Sequence, residues 1–210
     1  MKKSLRVISI DGTRGSGKTS QINMLSKHLK ALGFIVSTLK PGQSPQEIAI
    51  GFKYIDSFLP KDPKAMVIID GSIARPMTTD LVFGKSSKEV VDSFKLPMHE
   101  FEKIDHLYGV VGLLFVMDDV VEANERVVNR SKMLIGQEVS ADVGPVDVAK
   151  ENEIVSGMRT FNNHIASKNI NFHVFNIEPE DTILSVHKAV VDYLTERYDL
   201  PKLIKAQDDW

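Results

Sequence analysis

The chain of 210 residues contains no cysteine, which excludes disulfide staples, zinc–thiolate sites and thiol nucleophiles. It has no surplus of either charge. Lys and Arg total 26 against 28 Asp and Glu, leaving a formal net charge of −2. Such a balance provides no global field to draw the protein onto nucleic acid or an anionic membrane. No apolar run approaches a membrane span, and no membrane partner is expected. The basic opening Met1-Lys2-Lys3 leads into Leu5–Ile10, too short for the apolar core of a signal peptide. These absences predict a cytoplasmic protein. Internal repeats and low-complexity tracts are missing too, and six scattered histidines, His28, His99, His106, His164, His173 and His187, show no metal-ligand spacing.

What is present is alternation. Leu5–Ile10, Phe34–Leu39, Ala65–Ile69, Gly112–Met117 and Phe172–Ile177 are short, nearly continuous apolar runs, as expected of strands covered on both faces. Between them lie stretches of helical period. Lys18–Leu32 spaces Ile22, Leu25, Leu29 and Leu32 along one face before Gly33. Val120–Asn129 follows two candidate caps, Asp118 and Asp119, and Asn152–Lys168 and Asp181–Glu196 complete the set. This rhythm predicts an α/β fold: a three-layer, five-stranded, mainly parallel sheet flanked by helices, in a single domain spanning residues 1–210. Two stretches break the rhythm: Pro76–Tyr108, read as short helical pieces, and the polar Ser131–Pro145.

The segment Gly12-Thr13-Arg14-Gly15-Ser16-Gly17-Lys18-Thr19 matches G-x-x-x-x-G-K-[ST] between a predicted strand and a predicted helix. A chance match in a chain of this size is roughly a one-in-a-hundred event. Gly12, Gly15 and Gly17 permit backbone conformations closed to residues with a Cβ, so the loop turns its N–H groups inward around phosphate oxygens. The following helix adds its positive end. Gly12 to Ser20 are thus the predicted nucleotide-binding residues, with Lys18 on the β- and γ-phosphates and the Thr19 hydroxyl on Mg²⁺. A strand-end carboxylate is expected to complete the metal site. Asp70, which precedes Gly71, is the first choice and Asp118 the second.

Around this loop the chain resembles thymidylate kinase and its nucleoside-monophosphate kinase relatives. The similar stretch is Ile8-Ser9-Ile10-Asp11 followed by the Gly12–Thr19 loop, Ser20-Gln21, the amphipathic helix and Gly33. Lys40-Pro41-Gly42 resembles that family's Glu-Pro-Gly turn, Val67–Asp70 a strand ending in Asp-Arg, and Leu114–Asp118 its fourth strand. Most of the chain is covered, but only the loop is specific. The resemblance implies transfer of the ATP γ-phosphoryl group, with Mg²⁺, to a small nucleotide or nucleoside acceptor. It also implies a homodimer, a lid over residues 131–147, and acceptor-side walls at 41–60 and 71–108. Lys18, Asp70, Arg130 and Arg14 would be the catalytic residues; Arg126 and Arg75 are further cations.

The departures concern the acceptor. Arg14 stands where the family has an acid, Gly71 replaces the Arg of Asp-Arg, and Lys40 replaces the Glu of Glu-Pro-Gly. Only 28 positions separate Gly42 from Asp70, far fewer than the family uses for its base- and phosphate-binding helices. Phe52 and Tyr54 are what remain for stacking, although aromatics on a short helix more often fill the core. Asp80 is an acceptor contact or a helix cap. A GTPase is disfavoured by the lack of Asn-Lys-x-Asp. An ATPase using Glu100, Glu102 or Asp118, a kinase for a hydroxyl acceptor with a carboxylate base, and a nucleotide-binding pseudo-enzyme remain as alternatives.

Overall fold

A computed structural model describes residues 5–42, 44–59, 62–71, 73–135, 148–166 and 172–198, with the side chains of 130–135, 148 and 161–166 left aside. The five expected strands all form: β1 Val7–Gly12, β2 Ile35–Leu39, β3 Ala65–Asp70, β4 Val110–Val116 and β5 Phe172–Asn176. They make one parallel sheet in the order β2-β3-β1-β4-β5. The helices are α1 Lys18–Ala31, α2 Pro45–Phe58, α3 Ala74–Val82, α4 Ser87–Tyr108, α5 Val120–Ile135, α6 Val148–Ala166 and α7 Ile183–Arg197.

Strand alternation assigns the layers. Ile8 and Ile10 of β1 pack with Ile22, Leu25 and Leu29 of α1 and Val190 and Leu194 of α7. Val7 points the other way, among Ile48 and Phe52 of α2 and Phe94 and Phe101 of α4, as the two-residue period of a strand requires. A third cluster joins Ala74 of α3 to Leu114 and Val116 of β4 and to Ile154, Val155 and Met158 of α6. The three central strands are almost wholly buried, whereas the edge strand β2 is half exposed.

The region 76–108, expected to be fragmentary, is instead two helices, and α4 runs for 22 residues through a buried Pro97. Its start is secured by a capping box in which Ser86 accepts from the Glu89 N–H and the Glu89 carboxylate accepts from the Ser86 N–H. Ser44 and Glu47 do the same for α2, where Pro45 occupies the first helical turn. In the deep interior, packing along the apolar face outweighs the backbone bond that Pro97 cannot donate. Helix α5 begins where Asp119, rather than Asp118, caps it by accepting from the Glu122 N–H at 2.9 Å. From residue 136 onward the expected lid lies outside the described residues.

Strand order carries the functional consequence. The connection from β1 runs to β2 on one side of it and that from β3 runs to β4 on the other, so the carboxyl ends of β1, β3 and β4 border the crevice where open α/β sheets receive ligands. The Gly-rich loop follows β1, Asp70 closes β3 opposite Ile10, and Asp118 follows β4.

Candidate active site

Gly12 and Gly15 are glycines because the loop is pressed against the sheet. A Cβ on Gly12 would stand 2.0 Å from the Phe115 carbonyl oxygen, and one on Gly15 2.3 Å from that of Ala123. Thr13 stitches the same contact, its N–H donating to Phe115 O at 2.9 Å and its hydroxyl accepting from Met117 N–H at 3.0 Å. The N–H and hydroxyl of Thr13 therefore serve the fold. Ser16 is buried and donates its hydroxyl to Thr13 O at 2.9 Å.

Gly17 differs. It adopts φ 82°, and nothing lies within 4 Å of its missing Cβ, so the open space before it is accessible to a ligand. It caps α1 without a side-chain bond, and the first turn of α1 contains no acid. The first intrahelical bond is donated by Gln21 to Gly17 O at 3.1 Å. Upstream N–H groups therefore point off the end of the helix. By contrast, α2, α4 and α7 each close their N-termini with a capping box. A positive helix end left without a protein cap, beside a lysine, suits an anion.

That lysine folds back over the loop. Lys18 Nζ donates to Gly12 O at 2.8 Å and to Thr13 O at 2.6 Å. Burial of its ammonium lowers its pKa to about 8; the positive charge of Arg75 acts the same way, while Asp11, Asp70 and Glu151 oppose it. Five charged side chains, from β1, α1, β3, α3 and α6, are thus close enough to interact. Asp70 is among them, at the end of β3 before Gly71, whose φ of 87° turns the chain and whose N–H donates to Ile10 O at 2.7 Å. Thr19 is exposed at the start of α1. Thr19 and Asp70 could hold a metal ion. No group of three or more His, Asp or Glu able to hold a metal exists among the described residues. An ion here would arrive with phosphate oxygens rather than occupy a protein cage.

Arg14 lines a small cleft with Thr13, Val120, Asn124, Glu151 and Val155. The Arg130 side chain lies outside the described residues. Arg126 is engaged elsewhere, donating to Glu122 at 2.9 Å and to Pro179 O at 2.6 Å. Asp118 receives two bonds from Arg159, at 3.3 and 2.6 Å, and Asp80 pairs with Lys85 at 2.7 Å. Phe52 is fully buried against Phe101 and is a core residue, whereas Tyr54 is exposed on α2. Glu100 faces Lys53 of α2 at 3.8 Å.

Sequence reasoning passed over Asp11 and Glu151. Asp11 is 2% exposed and accepts from the Gly12 N–H at 2.8 Å and from the Arg75 N–H at 3.1 Å. A charge at the buried end of a strand is unusual and was the available signal. Glu151 binds the Arg75 guanidinium at 2.8 Å. Nothing local marks it, because α6 brings it in from the far end of the chain.

No family model matches the chain, and no curated protein does. Among solved structures the chain is similar to thymidylate kinase from Ehrlichia chaffeensis, with a TM-score of 0.56 and 17% identity over 91% of this chain and 100% of that one. At such identity the likeness concerns the fold, which is P-loop kinase-like.

Proposed function

We propose that the protein is an ATP-dependent phosphotransferase, a nucleoside-monophosphate kinase of the thymidylate kinase kind. The observation that carries this reading is the uncapped N-terminus of α1, opened by Gly17 and overlain by Lys18, at the carboxyl end of the central strand. Phosphoryl transfer asks a protein mainly for position and compensating charge, and those are the properties concentrated here.

In this reading the α1 end and the Gly15–Ser20 backbone hold the β- and γ-phosphates. Lys18 exchanges its two carbonyl partners for phosphate oxygens, recovering a full ammonium as the anion arrives. Thr19 and Asp70 hold Mg²⁺, which supplies charge neutralisation between the phosphates when bound. Arg14 and Arg130 would face the transferred or acceptor phosphate. The acceptor site would be a reduced one, since few residues separate Gly42 from Asp70 and Phe52 is committed to the core.

The test is transfer of labelled γ-phosphate from ATP to a panel of nucleosides, nucleoside monophosphates and short oligonucleotides, with Lys18→Ala as control. Transfer to monophosphates alone supports the reading. Transfer to hydroxyl acceptors alone replaces it with a nucleoside-type kinase, and ATP binding without transfer replaces it with a nucleotide-binding protein. Equal ATP affinity in wild type and Lys18→Ala removes the phosphate site itself.

A further inference from the structure

We propose that Arg75 contacts the γ-phosphoryl group of a triphosphate held in the loop, an inference that rests on the nucleotide-binding reading above. Arg75 stands in the first turn of α3 and is held at both ends. Its backbone N–H is bound by Asp11, the residue before Gly12. Its Nη2 donates to Glu151 at 2.8 Å, and Glu151 lines the cleft beside Thr13 and Arg14. The guanidinium is thereby fixed at the edge of the phosphate loop.

Half of it is unused. Nη1 is buried and has no hydrogen-bond partner. A buried guanidinium donor without a partner is unfavourable, and such atoms in native proteins call for an explanation. The planar fork of arginine offers one: it can hold a carboxylate on one nitrogen and a phosphoryl oxygen on the other. Two other described arginines, on α5 and α6, are committed. Arg126 is bound to Glu122 and Pro179, and Arg159 to Asp118 and Asn176. Arg75 also lies close enough to Lys18 for its charge to act there more strongly than that of Asp70. A further cation for the terminal phosphate, beside Lys18, then comes from α3, in a chain whose Gly71 removes the arginine found next to the strand-end aspartate in the resembling family.

The experiment compares affinities for ADP·Mg and for the non-hydrolysable analogue AMP-PNP·Mg, by calorimetry, in wild type, Arg75→Gln and Arg75→Lys. Arg75→Gln is expected to weaken AMP-PNP by about ten-fold or more, the size of one charge-assisted bond, with ADP affinity within about two-fold. Arg75→Lys should recover part of the difference. A residue that only supports the fold would weaken both ligands alike. Equal loss for both ligands, or no loss for either, overturns the proposal while leaving nucleotide binding intact. If wild type binds neither ligand, the nucleotide-binding reading fails and this inference with it. Should Arg75→Gln not fold, Arg75→Lys carries the same comparison alone.

Discussion

Asp11 and Arg75 are 64 positions apart in the chain and one hydrogen bond apart in space, the Arg75 N–H donating to Asp11 Oδ2 at 3.1 Å. One buried carboxylate thus joins the start of the phosphate loop to the start of α3. Asp11→Ala would orphan the Gly12 and Arg75 N–H groups, and each buried donor left unpaired costs about 1–3 kcal/mol. A loss of about 3 kcal/mol in urea unfolding is expected for Asp11→Ala, and a smaller loss for Asp11→Asn, which keeps one acceptor. A neutral Asp11→Ala would show that the two bonds contribute nothing.

The glycines of the loop separate into two kinds, and stability and binding should separate with them. Gly15→Ala places a methyl 2.3 Å from Ala123 O and should unfold the loop or the domain, as seen by thermal melting. Gly17→Ala meets no protein atom and should cost about 1–2 kcal/mol for its left-handed backbone. Its ATP affinity is expected to fall much further than that figure accounts for, because the space it enters belongs to the ligand. Unchanged nucleotide affinity in Gly17→Ala would contradict the assignment.

Phe52 and Tyr54 should behave oppositely. Phe52 is fully buried and tilted against Phe101 at a centroid separation of 5.4 Å, and truncating such a side chain costs about 3–5 kcal/mol. Tyr54, 52% exposed, should lose well under 1 kcal/mol on replacement by Ala. Denaturant titration of the two variants settles the contrast; comparable losses would mean that α2 packs otherwise.

Acid should weaken the fold through His187. Burial, and after it the charge of the neighbouring His28, lower its pKa to about 4 from an ordinary 6.5. The His187 N–H donates to Gln21 Oε1 at 3.1 Å, and its other nitrogen faces His28 Nδ1 at 3.2 Å. Between about pH 6.5 and 4 the unfolded chain binds a proton that the native state refuses, so stability falls as pH falls through that window. After allowance for partial solvent exposure the loss is about 1–2 kcal/mol. Urea unfolding at pH 7 and pH 5 should show it in wild type and show less of it in His187→Gln. An identical slope in the variant would assign the acid sensitivity to other groups.

Local pattern accounts for much of what was legible in advance. The five strands and four of the helices announce themselves because burial on both faces demands continuous apolar runs, and burial on one face demands a 3.6-residue period. Helices α3 and α4 were obscured by Gly84 and Pro97, ordinary breakers of helices, although Ser86 and Glu89 mark the start of α4 in plain sequence. Phe52 was correctly weighed as a core residue, since an apolar ring on an amphipathic helix is drawn inward whatever the function.

The sequence by itself determined the alternation of strand and helix and the phosphate loop, because a tight turn against β4, an open helix end and a lysine are encoded within eight consecutive residues. Only the tertiary structure decided which charges stand around that loop. Asp11, Asp70, Arg75 and Glu151 come from β1, β3, α3 and α6, and the strand order β2-β3-β1-β4-β5 together with the packing of α6 on α3 brings them to Lys18. Electrostatic coupling depends on separation in space and on burial, and neither follows from the spacing of these residues along the chain.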